Sequence, residues 1–293
     1  MTRMPMPMPM MALALGLVLS LSACSLLPSP ADRYERADQL ASSKGWQHEQ
    51  WNAGAFQIAL WMPALHISPE RLSIYIEGDG LAWVSPSSPS DDPTPVDPIA
   101  LRLALAQPSG RAVYLARPCQ YVDAEHTSCS SAYWTSRRFS DDAVRATDEV
   151  VSHLKRVSGA GHLTLIGYSG GGAIAALVAA RRTDVDRLVT VAGNLDPRAW
   201  AEQQGLRPLD GSLDPVDDVQ PLAGISQWHF VGGRDTVVPA ALTQSFADRF
   251  APAQRPTVIT IDEFGHACCW ADRWPALWTT YLAQPSVANG KAP

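Results

Sequence analysis

The chain has 293 residues, a formal net charge of −6 and 46 % apolar residues, with charged residues at only 18 %. That acidic balance excludes the basic footprint of a nucleic-acid binder and offers no electrostatic grip on anionic lipid. Five cysteines and a length suited to one large core direct attention to export and to α/β architecture.

Residues 1–23 read as an export signal. Arg3 gives a positive start, methionine alternates with proline from Met4 to Met10, and Met11 to Leu21 is an apolar run too short to span a bilayer comfortably. The run ends in Leu21-Ser22-Ala23-Cys24, which resembles the lipobox of bacterial lipoproteins. That resemblance implies a lipid on Cys24, which then heads the mature chain; an ordinary secretory signal cut near the same place is the alternative. Ser25 after the cysteine implies, by the same resemblance, the outer membrane facing the periplasm. Residues 24–44, with Pro28, Pro30 and several charges, are expected to form a tether. Residues 45–293 are expected to form one domain, because no long low-complexity linker divides them.

Strands are expected at Phe56–Trp61 and Leu72–Ile76, ended by Pro63 and by Gly78 and Gly80. The proline-rich stretch from Ser85 to Pro98 is a loop. Pro98–Ala106 reads as a helix, Ala112–Ala116 as a strand and Asp141–Val157 as a helix with Ser140 as its N-cap. A strand from Leu163 to Gly167 then turns sharply through Tyr168-Ser169-Gly170-Gly171-Gly172 into an alanine-rich helix. After a strand at Arg187–Ala192, residues 193–224 read as irregular. Ile225–Val231 is a strand, Pro239–Phe250 a helix, Thr257–Ile261 a strand and Trp274–Tyr281 a closing helix. Strands alternating with helices predict an α/β fold with a mostly parallel sheet, whose sites lie at the carboxyl ends of the strands.

The turn at Ser169 is G-x-S-x-G, which pushes a serine hydroxyl into the open at a strand end. Serine needs a base within hydrogen-bond reach and a third group to orient that base. Asp235 follows the strand ending at Val231, and His266 follows the strand ending at Ile261, so both point to the edge that holds Ser169. Asp196 is the rival acid; His229, His126, His153 and His162 are rival bases without the same strand-end placement.

The order Ser, Asp, His in loops after successive strands resembles the α/β-hydrolase superfamily over nearly the whole mature length. EGDG, RPCQY, GYSGGGAIAAL, GNLDP and GHACCW together resemble a group of exported bacterial α/β hydrolases. The resemblance implies a Ser169-His266-Asp235 triad and an acyl-enzyme, with the Gly170 N–H as one oxyanion donor and the Asp79 N–H as the second. Glu77 stands where the superfamily often has histidine, so two acids flank the second donor, with Arg117 or Arg137 available to pair them. An ester is the expected substrate, no cofactor is implied, and peptidase, thioesterase, acyltransferase or noncatalytic binding roles share the same scaffold. Trp83, Trp134, Trp200, Trp270 and Trp274 fall where they could line an apolar pocket, or pack beneath loops. No stretch is long enough for a full helical lid, so the cap is expected to be minimal. Cys119, Cys129, Cys268 and Cys269 suit two disulfides in an oxidising compartment, with three pairings open; their spacing fits a metal site poorly.

Overall fold

The computed structural model describes residues 27–64, 70–123 and 128–283. The export signal and Cys24 lie outside the described residues. In chain order the elements are α1 (Pro30–Ser42), β1 (Gln47–Ala53), β2 (Phe56–Met62), β3 (Arg71–Ile76), β4 (Trp83–Ser85), β5 (Ser88–Pro89), α2 (Ile99–Ala106), β6 (Arg111–Leu115), α3 (Asp141–Ser158), β7 (His162–Tyr168), α4 (Gly170–Ala179), β8 (Val185–Val191), α5 (Pro197–Gln203), α6 (Val219–Leu222), β9 (Ser226–Gly232), α7 (Ala240–Ala247), β10 (Thr257–Ile261) and α8 (Trp270–Leu277).

Eight strands form one sheet in the order β1-β2-β6-β3-β7-β8-β9-β10, and β4 and β5 make a separate small hairpin. Parallel pairing runs from β6 through β3, β7, β8 and β9 to β10. Only β2 runs against the rest, because it is antiparallel to both β1 and β6. Side chains alternate across each strand, so consecutive residues enter opposite layers. Ile74 and Leu165 join Val150, Leu154 and the alanines of α4 on one face; Tyr75 and Ile166 join α1, α2 and α8 on the other. Both faces are therefore dry, as a parallel sheet requires.

The expected tether contains a docked helix. In α1, Ser29 caps the helix, accepting from the Asp32 N–H while Asp32 accepts from the Ser29 N–H, and Pro30 occupies the first turn. Proline there marks a helix start rather than a spacer, since its missing N–H would have been unpaired anyway. Ala37 and Ala41 are buried, and Asp38 accepts from the Trp61 indole at 3.2 Å. The same signal opens α5 inside the stretch expected to be irregular, where Asp196 caps the helix and Pro197 follows it. No helix among the described residues is long and apolar enough to cross a membrane.

Candidate active site

Strand β7 delivers Ser169 to the carboxyl edge of the sheet, and α4 leaves at once. Ser169 takes φ 51° and ψ −123°, a conformation an L-residue adopts only when its surroundings force it. What forces it is close packing. A side-chain carbon on Gly167 would lie 2.2 Å from the Gly171 carbonyl oxygen, and one on Gly171 would lie 2.3 Å from that of Ile76. The turn can close only with glycine at both places, and in closing it sets the start of α4 against the end of β3.

His266 and Asp235 complete a hydrogen-bonded chain. His266 Nε2 lies 2.9 Å from Ser169 Oγ, and His266 Nδ1 lies 2.8 Å from Asp235 Oδ2. Asp235 is buried, and its other oxygen accepts from the N–H groups of Val237 and Val238 at 2.8 and 2.9 Å. The aspartate thus fixes its own loop with one oxygen and faces the imidazole with the other. Two side chains hold the histidine from behind: the hydroxyl of Tyr168, which the sequence did not single out, and the indole of Trp270, one of the candidate pocket tryptophans, both donate to the His266 carbonyl, at 3.2 and 2.9 Å. Tyr168 stands next to Ser169 in the chain, so one turn carries both the hydroxyl facing His266 Nε2 and a brace for the histidine loop.

The rivals are placed elsewhere. Asp196 caps α5 through the Ala199 N–H at 2.9 Å and pairs with Arg249. His229 is buried, lies 2.9 Å from the Thr190 hydroxyl and is held neutral by burial, its pKa lowered to about 3. His153 stacks on Trp51 and His162 is exposed; His126 lies outside the described residues.

The Glu77–Gly80 turn lies beside the nucleophile. A side-chain carbon on Gly78 would come within 3.3 Å of Ser169 Cβ, so the backbone just before Asp79 touches the elbow. Gly170 opens α4, where an N–H has no helical partner, and the Asp79 N–H donates to no other described residue. Both donors expected for an oxyanion are thus uncommitted beside Ser169. The Asp79 carboxylate, partly exposed at the cleft wall, accepts from Arg117 at 3.3 Å and Arg138 at 2.7 Å. Arg137, the alternative partner, instead reaches Asp142 at the surface. Arg138 also donates to the Thr135 carbonyl, and Arg117 to that of Arg138, so the pair is fixed before it meets Asp79. Burial raises the Asp79 pKa, but the charge of Arg138 and then of Arg117 outweighs it and holds the carboxyl below the ordinary range. Glu77 has no cation. Its Oε1 accepts from the N–H groups of Gly78 and Ala100, and burial outweighs these and the nearby Tyr114 hydroxyl, lifting its pKa to about 7.

Cys119 is bonded to Cys129 and Cys268 to Cys269, one of the three pairings left open by the sequence. The first staples the segment that carries Arg117, Arg137 and Arg138. Among the described residues no cluster of His, Cys, Asp or Glu is arranged to hold a metal. A cleft of about 1220 Å³ opens over Ser169, walled by Leu81, Trp83, Trp200, Leu206 and Val237. Of the other tryptophans, Trp134 donates to the Ser90 carbonyl and Trp274 to the Tyr75 hydroxyl, both inside the protein. Trp134 packs under the loop that carries Ser90 and Trp274 packs between α8 and the sheet, and of the five only Trp83 and Trp200 reach the cleft.

No protein-family model matches the sequence, and no curated protein does. Solved structures do match. Est1E from Butyrivibrio proteoclasticus superposes with a TM-score of 0.55 at 14 % identity, over 81 % of this chain and 99 % of its own. An esterase from Pyrococcus furiosus gives 0.54 at 12 %, over 82 % and 91 %. A serine hydrolase without lid from Xanthomonas campestris gives 0.51 at 12 %, over 82 % and 96 %. At such identities the likeness is one of fold: the chain has the α/β-hydrolase fold.

Proposed function

We propose that the chain is a serine hydrolase that cleaves an acyl ester, and that it is held in the bacterial envelope by a lipid on Cys24. The observation that carries the catalytic reading is the unbroken chain from Asp235 through His266 to Ser169, at 2.8 and 2.9 Å, on the floor of an open cleft. Ester rather than amide is supported by the Pyrococcus furiosus esterase and by a ferulic acid complex of Est1E among the structures sharing this fold.

In the proposed reaction, Ser169 Oγ attacks the acyl carbonyl as His266 Nε2 takes its proton. The new C–O bond leaves a tetrahedral oxyanion between the Gly170 and Asp79 N–H groups. Asp235 keeps Nδ1 protonated and stabilises the imidazolium. Collapse breaks the ester bond, and the alcohol departs with the proton from His266. A water, deprotonated by the same nitrogen, then attacks the acyl-enzyme and frees Ser169. Both proposed donors belong to backbone held by packing rather than to mobile side chains, so little reorganisation would oppose the developing charge.

A fluorophosphonate probe tests this. The folded parent should be labelled, Ser169→Ala should not, and ester turnover should fall by at least about 10³-fold in both Ser169→Ala and His266→Ala. Labelling that persists without Ser169 would overturn the reading.

A further inference from the structure

Seven large apolar side chains are exposed among the described residues, and three of them line one cleft: Trp83 (36 % exposed), Leu206 (49 %) and Val237 (45 %), with Val84 (51 %) next to Trp83 in the same hairpin, just outside the lining. Scattered exposed leucines need no explanation, but a contiguous ring around a site does. This ring is built rather than loose. The β4–β5 hairpin presents Trp83 and Val84, while the Trp200 indole and the Gln204 amide donate to the carbonyls of Val237 and Thr236 at 2.6 and 3.0 Å. Those bonds lock the wall that bears Leu206 to the loop that bears Asp235.

The chain's own entry point says what covers the ring. In the first turn of α1, the Arg33 guanidinium donates to the carbonyls of Asp92 and Thr94 and faces the Asp92 carboxylate at 3.6 Å. The next residues, Pro95 and Val96, line the cleft. Helix α1 therefore begins at the edge of the sheet where the mouth opens. Five residues separate Pro30 from Cys24, and the six steps span at most about 20 Å when fully extended. A lipid on Cys24 would hold the start of α1 within that distance of a bilayer, and α1 is tied through Arg33 to the segment that runs into the cleft lining. The charges at the mouth include Arg207 and Asp210, one of each sign, and the chain is acidic overall, so anionic lipid is not required.

We propose that Trp83, Val84, Leu206 and Val237 seat on a phospholipid surface, and that the ester reaches Ser169 from that surface as a lipid acyl chain. The docking half stands on the rim and the position of α1; the substrate half rests on the hydrolase reading above.

The test uses the chain from Ser25 onward, which keeps every described residue but carries no lipid, in the Ser169→Ala form so that binding is read without chemistry. It should float with phosphatidylcholine vesicles. Val84→Asp, on a side chain outside the cleft lining, should weaken that partition on the order of tenfold. The triple change Trp83→Ser, Leu206→Ser, Val237→Ser should abolish it, with circular dichroism showing both variants folded. A parent that does not float, binding unchanged in both variants, or a rim-dependent dimer in sedimentation would each overturn docking. With Ser169 restored, a long-chain ester held in vesicles should be cleaved faster by the parent than by Val84→Asp, whereas fluorophosphonate labelling in free solution should match. Flotation without labelling would leave docking standing and sink the substrate half together with the hydrolase reading.

Discussion

Glu77 and Asp79 stand two positions apart in one turn beside the nucleophile, Glu77 buried and Asp79 partly exposed at the wall of the cleft, yet they ionise in opposite senses. Burial penalises each charge. Asp79 meets two arginines, which outweigh the penalty and keep it ionised; Glu77 meets two backbone N–H groups, which do not, and its pKa rises to about 7. A buried carboxylate is set by what faces it, not by its type or its depth. The difference also divides the labour of the turn. Asp79 ties it sideways to the stapled segment around Arg117 and Arg138, and Glu77 ties it downward to the start of α2 through the Ala100 N–H.

The largest effect should come from breaking the charged half. Asp79→Ala leaves two buried guanidiniums with backbone carbonyls but no paired carboxylate, and removing one partner of a buried ionic cluster costs about 3 to 5 kcal/mol. Chemical denaturation should show that loss. Turnover should fall further than the loss of folded protein accounts for, because the Asp79 N–H rides on the same clamp. Leaving the carboxylate and changing Arg138→Met should cost stability in the same direction. If Asp79→Ala were as stable as the parent, the clamp would be incidental.

Much of this site was legible because its chemistry is carried by local backbone rules. Ser169, Asp235 and His266 each follow a strand, and a parallel sheet brings such loops to one edge, so their meeting needed no knowledge of packing. Whatever depends on which side chain reaches which partner was harder. Arg117 and Arg137 were the expected cations, and Arg138 took the second place, since a step of one residue in an irregular segment decides which side chain faces inward. Helices α1 and α5 lie in stretches whose proline and polar residues suit a tether or an irregular segment, and only the cap pairs Ser29-Pro30 and Asp196-Pro197 announce them. Strand β1 lies at the sheet edge with mostly polar side chains and gave no apolar alternation to find.

The next effect concerns Glu77. Its folded pKa lies above the unfolded value of 4.5, so below pH 4.5 both states hold the proton. As pH rises from 4.5 toward 7, only the unfolded chain releases it, and stability falls by about 3 kcal/mol across that window, at about 1.4 kcal/mol per pKa unit. Above 7 both states are ionised and this contribution stays lost. Glu77→Gln removes the titration, so the difference in stability between variant and parent should move in the variant's favour from pH 4.5 to 7 and then level off. A difference that stays flat with pH would mean that Glu77 is ionised in the fold at all these values, and the contrast with Asp79 would disappear.

The smallest effect sharpens the same contrast through two neighbours. Arg137 and Arg138 carry the same charge on adjacent residues, but the Arg137 partner, Asp142, is itself solvated, and the pair lies in water at the start of α3. Exposed pairs of this kind are worth little, since water and salt screen them and two long side chains lose freedom to form them. Arg137→Met should therefore change stability by no more than about 0.5 kcal/mol. It should also leave ester turnover unchanged, whereas Arg138→Met should lower both. Guanidinium-free denaturation in urea at low and high salt separates the cases further: salt should shrink whatever Arg137 contributes more than the Arg138 effect, because the Arg138 guanidinium is buried and Asp79 only partly exposed, whereas Arg137 and Asp142 both lie in water.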